Sequence, residues 1–178
     1  MESPNLLVNP GAELDLSGWT QVGSSQVIRD RGEVLNKKFE SRSGAGMFAG
    51  GHGSGGDLVG LSQLVNLLDD AQKFDAAQLD SETLKVEIQF YYQNHHRPLL
   101  SSDDVQVVVI FQSTTNTTLS EMDSGLLNCP HDPGWYLYNK TVNLPVGTRI
   151  IQYRMLFKRN GGDAIDSYID DNSLRVIE

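Results

Sequence analysis

Three segments of the chain, 84–93, 105–112 and 149–158, carry the two-residue alternation or β-rich composition of strands. In the first, Val86, Ile88, Phe90 and Tyr92 alternate with Lys85, Glu87, Gln89, Tyr91 and Gln93. In the third, Ile151, Tyr153, Met155 and Phe157 alternate with Gln152, Arg154 and Lys158. Such strands press one face into a core and leave the other polar. Shorter strands are expected at 6–8, 19–22, 26–29, 46–49, 58–65, 135–142 and 167–177, separated by clusters of Gly, Pro, Asn, Asp and Ser. Helical periodicity is weak. Only 67–79 has room for a short helix or turn, and Asp69, Asp70, Asp75 and Asp80 make it a solvated connection. The glycine-rich run 50–56 reads as a flexible loop. Many short strands between turn signals predict an all-β chain, a β-sandwich jelly roll forming one domain over residues 1–178, with strands near the two chain ends lying side by side.

Composition narrows the function classes. The 178 residues, 39% hydrophobic and 21% charged, suffice for a full two-layer core. With 23 acidic against 14 basic residues the formal charge is −9, which argues against a nucleic-acid partner and suits hard-cation sites or an acidic surface equally well. Cys129 is the only cysteine, so no internal disulfide framework exists. The first residues have neither a basic n-region nor an apolar h-region, and no apolar run approaches the roughly 18 residues of a membrane span.

Motifs of nucleophile elbows, phosphate loops, dinucleotide binding and zinc proteases are absent from the sequence. A glycosidase needs only two carboxylates at a suitable separation, but nothing in the sequence selects a pair. The expectation is therefore a non-catalytic domain. His95 and His96, with His131 and Cys129, match no closed zinc spacing, and adjacent residues of a strand point to opposite sides.

Both ends of the chain carry more specific signatures. Near the N-terminus stands Asn5-Leu6-Leu7-Val8-Asn9-Pro10-Gly11-Ala12-Glu13, followed by Gly18-Trp19-Thr20; near the C-terminus stands Tyr168-Ile169-Asp170-Asp171-Asn172-Ser173-Leu174. Together with the Ser-Gly turn at 41–47, they resemble the opening, an internal turn and the final strand of galactose-binding-like jelly-roll domains, in particular carbohydrate-binding modules. The resemblance implies a core position for Trp19. It also implies a structural calcium held by Glu13, Asp171 and groups of Gly11, Ser43 and Ala45, fastening both ends to one sandwich. Oxygen donors beside tight turns suit calcium; the alternative is that Glu13 and Asp171 only cap turns.

The same resemblance implies a glycan or polysaccharide ligand and an extracellular or cell-surface setting. Sugars are held by aromatic faces and planar polar side chains. The polar face of the three best strands offers Gln89, Tyr91, Gln93, Gln152, Arg154 and Lys158. Two loop groups compete with it: the run from Tyr91 to Arg97, and Trp135 with Tyr136 and Tyr138. The runner-up is an adhesion or assembly module of the same fold that binds another protein. In a eukaryotic source, the sequons at Asn116 and Asn139 would fit an exterior location.

Overall fold

The computed structural model describes residues 2–24, 27–52, 58–72, 74–95, 101–128 and 134–178. His96, Arg97, Cys129 and His131, named above, lie outside the described residues.

The strands are β1 (Thr20–Val22), β2 (Ile28–Asp30), β3 (Met47–His52), β4 (Val59–Asn66), β5 (Lys85–Asn94), β6 (Asp104–Gln112), β7 (Thr118–Asp123), β8 (Leu127–Asn128), β9 (Tyr136–Asn143), β10 (Ile150–Lys158) and β11 (Ala164–Ile177). They form two antiparallel sheets. One runs β1-β4-β10-β6-β7, with β8 also on β6; the other runs β2-β3-β11-β5-β9. The result is the expected all-β sandwich. The one helix among the described residues, α1 (Ala76–Leu79), is closed at its start by a reciprocal capping box between Asp75 and Gln78.

Alternation decides what enters the core. Val86, Ile88 and Phe90 of β5 and Leu174 and Val176 of β11 face Val105, Val107, Val109 and Phe111 of β6 and Ile151, Tyr153, Met155 and Phe157 of β10, all of them buried. Trp19 joins this core edge-on to Phe48 at 5.5 Å and to Tyr153 at 6.0 Å, and its indole N–H donates to the Asn9 carbonyl at 3.0 Å. Tyr153 is fully buried, and its hydroxyl donates to Asn172 Oδ1 at 2.9 Å, while the Asn172 amide donates to the Pro10 carbonyl at 2.8 Å. That chain of bonds satisfies polar groups that would otherwise be stranded in the core. It also ties the N-terminal turn to β11 and to the opposite sheet.

Two local expectations are corrected, and two strands are added. Residues 6–8 do not form a strand: the segment lies along β11, but side chains carry much of its pairing. Leu174 N–H donates to Asn5 Oδ1, Val176 N–H to Ser3 Oγ, and Gln63 brackets Val8 through both its amide atoms. Gly50, Gly51 and His52, the start of the expected loop 50–56, belong to β3; residues 53–56 lie outside the described residues. A Cβ on Gly50 would come 2.2 Å from Ile165 Cγ2, so the glycine is there for close approach to β11. Finally, β7 and β8 carried no sequence signal: in β7 only Met122 is buried, as suits the edge of a sheet.

Candidate functional site

A β-bulge shapes the first site. The register between β11 and β5 shifts between Asp170 and Ser173, and Asp171 takes a left-handed backbone conformation with φ 49°. The bulge directs two adjacent carboxylates at the loop 42–46. Asp170, fully buried, accepts from the N–H groups of Arg42 (2.9 Å), Ser43 (3.3 Å) and Asp171 (2.7 Å). Asp171 accepts from the Ser43 hydroxyl at 2.6 Å. Burial, reinforced by the Asp171 charge, pushes the Asp170 carboxyl up to about 7 in spite of those N–H donors.

Glu13 reaches the same loop from the N-terminal turn. Its carboxylate accepts from Ala45 N–H at 3.0 Å and Gly46 N–H at 3.1 Å, and the Arg29 guanidinium lies 3.9 Å away. The turn is built by Asn9, in a left-handed conformation, whose amide group donates to the carbonyls of Asp15 and Ser17 and accepts from Leu14 N–H. Side chains are excluded where the carboxylates crowd: a Cβ on Gly44 would sit 2.1 Å from Glu13 Oε1, and one on Gly11 3.0 Å from Asp170 Oδ1.

Gly11, Glu13, Ser43, Ala45 and Asp171 therefore share one neighbourhood. The donors are hard oxygens of the class calcium takes. The buried acidic group, however, is Asp170, which the sequence did not single out, and Glu13 already has N–H partners and an arginine. Among the described residues, no three acidic, His or Cys side chains stand close enough together to hold an ion unaided. A hydroxyl and backbone carbonyls would have to complete any coordination shell.

The second site adjoins the first on the outer face of the five-stranded sheet. Segment 31–41 lies across half of that face. Asp30, buried, anchors it by accepting from the N–H groups of Gly32, Glu33, Val34 and Leu35, and Phe39 stacks on Tyr168 at 4.5 Å and meets Trp135 at 6.3 Å and His95 at 5.6 Å. Burial works against the Asp30 charge, but these N–H donors hold its carboxyl below the usual carboxylate range.

The other half of the face is open. Its rungs pair Gln89 with Asn139 and Tyr91 with Leu137, and Tyr91 is also the register partner of Asp170 on β11. Leu137 is 50% exposed. The Arg42 guanidinium lies over the Tyr91 ring, 4.4 Å from its centroid. Arg42 therefore spans one rung, its backbone held by Asp170 and its side chain seated on Tyr91.

The expected single polar face does not exist, because strand order divides it. Gln89, Tyr91 and Gln93 belong to the five-stranded sheet, and Trp135 immediately precedes its strand β9, whereas Gln152, Arg154 and Lys158 sit on β10, on the outer face of the opposite sheet. There Arg154 donates to Gln152 Oε1 at 2.8 Å, and Leu64 on β4, paired with Gln152, is 64% exposed. Gln93 has the right orientation but is covered: it is buried beside Tyr168, and its Oε1 has no hydrogen-bond partner. Trp135 is half-buried at the edge of segment 31–41, so its ring serves as a wall.

A cavity of about 410 Å³ at one end of the sandwich carried no sequence signal as a unit. Leu35, His52, His95, Ser101, Asp163 and Asp166 line it, from five separate stretches of chain. Behind it, buried Asp103 accepts from Asn160 N–H at 2.7 Å and Asp166 N–H at 3.0 Å.

No protein-family model matches the chain, and no curated protein matches it in sequence. Solved structures do match. The enzymatically active domain of tailspike protein 4 of bacteriophage CBA120 has a TM-score of 0.64 at 13% identity, covering 97% of this chain; the chain spans only 21% of that protein's length. TmCBM61, solved in complex with β-1,4-galactotriose, has a TM-score of 0.60 at 18% identity over 97% of this chain and 98% of its own. Family 16 Carbohydrate Binding Module-2 has a TM-score of 0.58 at 18% identity over 98% of this chain and 100% of its own. The chain thus has a β-sandwich fold that occurs both as a whole carbohydrate-binding module and as part of a much larger enzymatic chain.

Proposed function

We propose that this chain is a non-catalytic, calcium-stabilised glycan-binding domain that works outside the cell, with its ligand on the open half of the five-stranded sheet. The carrying observation is the juxtaposition of Tyr91, Leu137, Gln89 and Asn139 in neighbouring rungs beside the wall made by segment 31–41 and Trp135. Such a surface gives a sugar an apolar patch for its C–H face and planar amides for its hydroxyl pairs. Among proteins of this fold is a module solved with a galactotriose. Tyr91→Ala and Gln89→Ala should each weaken binding to the best ligand of a broad glycan panel about tenfold or more, while Arg154→Ala on the opposite sheet leaves it unchanged. Loss with Arg154→Ala and retention with Tyr91→Ala would move the site to the other sheet. A blank panel accompanied by self-association would support a protein-binding module instead.

Calcium belongs to the same reading. Glu13 and Asp171, the Ser43 hydroxyl and carbonyls near Gly11 and Ala45 would hold it, with Asp170 beside them. When bound it supplies positive charge to two adjacent carboxylates, one of them buried, and binds the N-terminal turn, loop 42–46 and β11 together. Chelated protein should gain about 5–10 °C in Tm at calcium a hundredfold above its Kd, and Asp171→Ala should lose that gain. An unchanged Tm would leave Glu13 and Asp171 as turn caps.

A further inference from the structure

We infer that Arg42 makes the open face selective for glycans bearing carboxylates, such as uronate-containing chains; the inference rests on the glycan-binding reading above and names its ligand class. Arg42 is exposed, with no acidic side chain hydrogen-bonded to its guanidinium among the described residues. Its position is nonetheless defined at both ends. The backbone N–H is bonded to Asp170 and the guanidinium rests on Tyr91, the rung partner of Asp170.

A planar cation pinned on an aromatic ring has lost much of the rotamer freedom that a surface arginine would surrender on binding, and its N–H fork matches a carboxylate in a bidentate manner. It also changes what Tyr91 can do. One ring face is taken, so a sugar meets a guanidinium there and not a bare aromatic plane. Gln89 and Asn139, one rung away, remain for hydroxyls.

The charge distribution points the same way. Arg29, Arg31, Lys37, Lys38 and Arg42 are five of the 14 basic residues of a chain with net charge −9, and all stand within the 14-residue stretch 29–42, against Asp30, Glu33 and Glu40. Of those acids, Asp30 is buried and already bonded to four N–H groups. Arg31, Lys37 and Lys38 are exposed on the segment that borders the open face. On an acidic protein this is a local cationic rim, placed where an anionic ligand would arrive.

The test uses the full chain and short oligosaccharides of galacturonate, of alginate and of glucuronoxylan, each compared by calorimetry with its carboxyl-reduced counterpart. At least one carboxylated member should bind about tenfold more tightly than its reduced partner at low salt, with the preference shrinking as salt rises. Arg42→Gln should bring the two affinities within about twofold of each other, Arg42→Lys should keep part of the preference, and Arg154→Gln should keep all of it. The melting temperature of each variant shows that it is folded. Equal or tighter binding of the reduced members, or a preference that survives Arg42→Gln, overturns the carboxylate inference while glycan binding stands. Failure of every member, extended to failure across neutral glycans, overturns both.

Discussion

Asp103 is buried beside the start of β6, and it holds the loop after β10 and the first residues of β11 through the N–H groups of Asn160 and Asp166. Burial raises its carboxyl from 3.8 to about 6; the two N–H bonds pull the other way, and the nearby Asp166 charge adds to the rise. A carboxyl whose folded value is raised stabilises the fold fully below its unfolded value, and this contribution disappears as pH rises through the folded value. Tm of the wild type should therefore fall, relative to that of Asp103→Asn, between about pH 4 and pH 6. Parallel pH profiles for the two proteins would contradict this. Single residues also mark where sequence reading stops. The Asp-Asp pair was legible as a candidate acidic site, but which member is buried depends on the bulge, and a bulge is a mismatch between two strands rather than a pattern in one.

Segment 31–41 is the element that divides the outer face, and it depends on one side chain. Removing the Asp30 carboxylate leaves four N–H groups at Gly32, Glu33, Val34 and Leu35 without their acceptor. Asp30→Ala should cost on the order of 3 kcal/mol and sharply raise hydrogen exchange at those amides, with Phe39 loosening from Tyr168. Unchanged exchange at 32–35 would show that the aromatic contacts alone hold the segment. Strands with a buried face were legible because alternation records burial, as in β5 and β10. Segment 31–41 has no such period, for it is held by an aspartate preceding it and by aromatics on another strand. β7 is illegible for the opposite reason: an edge strand with one buried side chain has almost no pattern to read.

At the scale of the molecule, the two-layer class followed from many short alternating strands, whereas the assignment of strands to sheets did not. Nothing in β5 and β10 taken separately tells that they lie in different sheets, so the sequence alone groups Gln89 and Tyr91 with Gln152 and Arg154. Topology separates them and places Tyr91 instead beside Asp170 and under Arg42. The calcium-type neighbourhood and the proposed ligand face thereby become contiguous, linked by Arg42 and Ser43. The end cavity, assembled from five distant stretches, is likewise a product of topology. The central claim is that a glycan occupies the open half of the five-stranded sheet, and amide chemical-shift mapping of the folded chain with its best oligosaccharide tests it most directly. The expected result is a continuous patch of perturbed resonances at Arg42, Gln89, Tyr91, Leu137 and Asn139, with Ser62, Ile110 and Arg154 on the opposite sheet unmoved. Perturbation centred on those last three, or on the cavity residues His52 and Asp163, would contradict it.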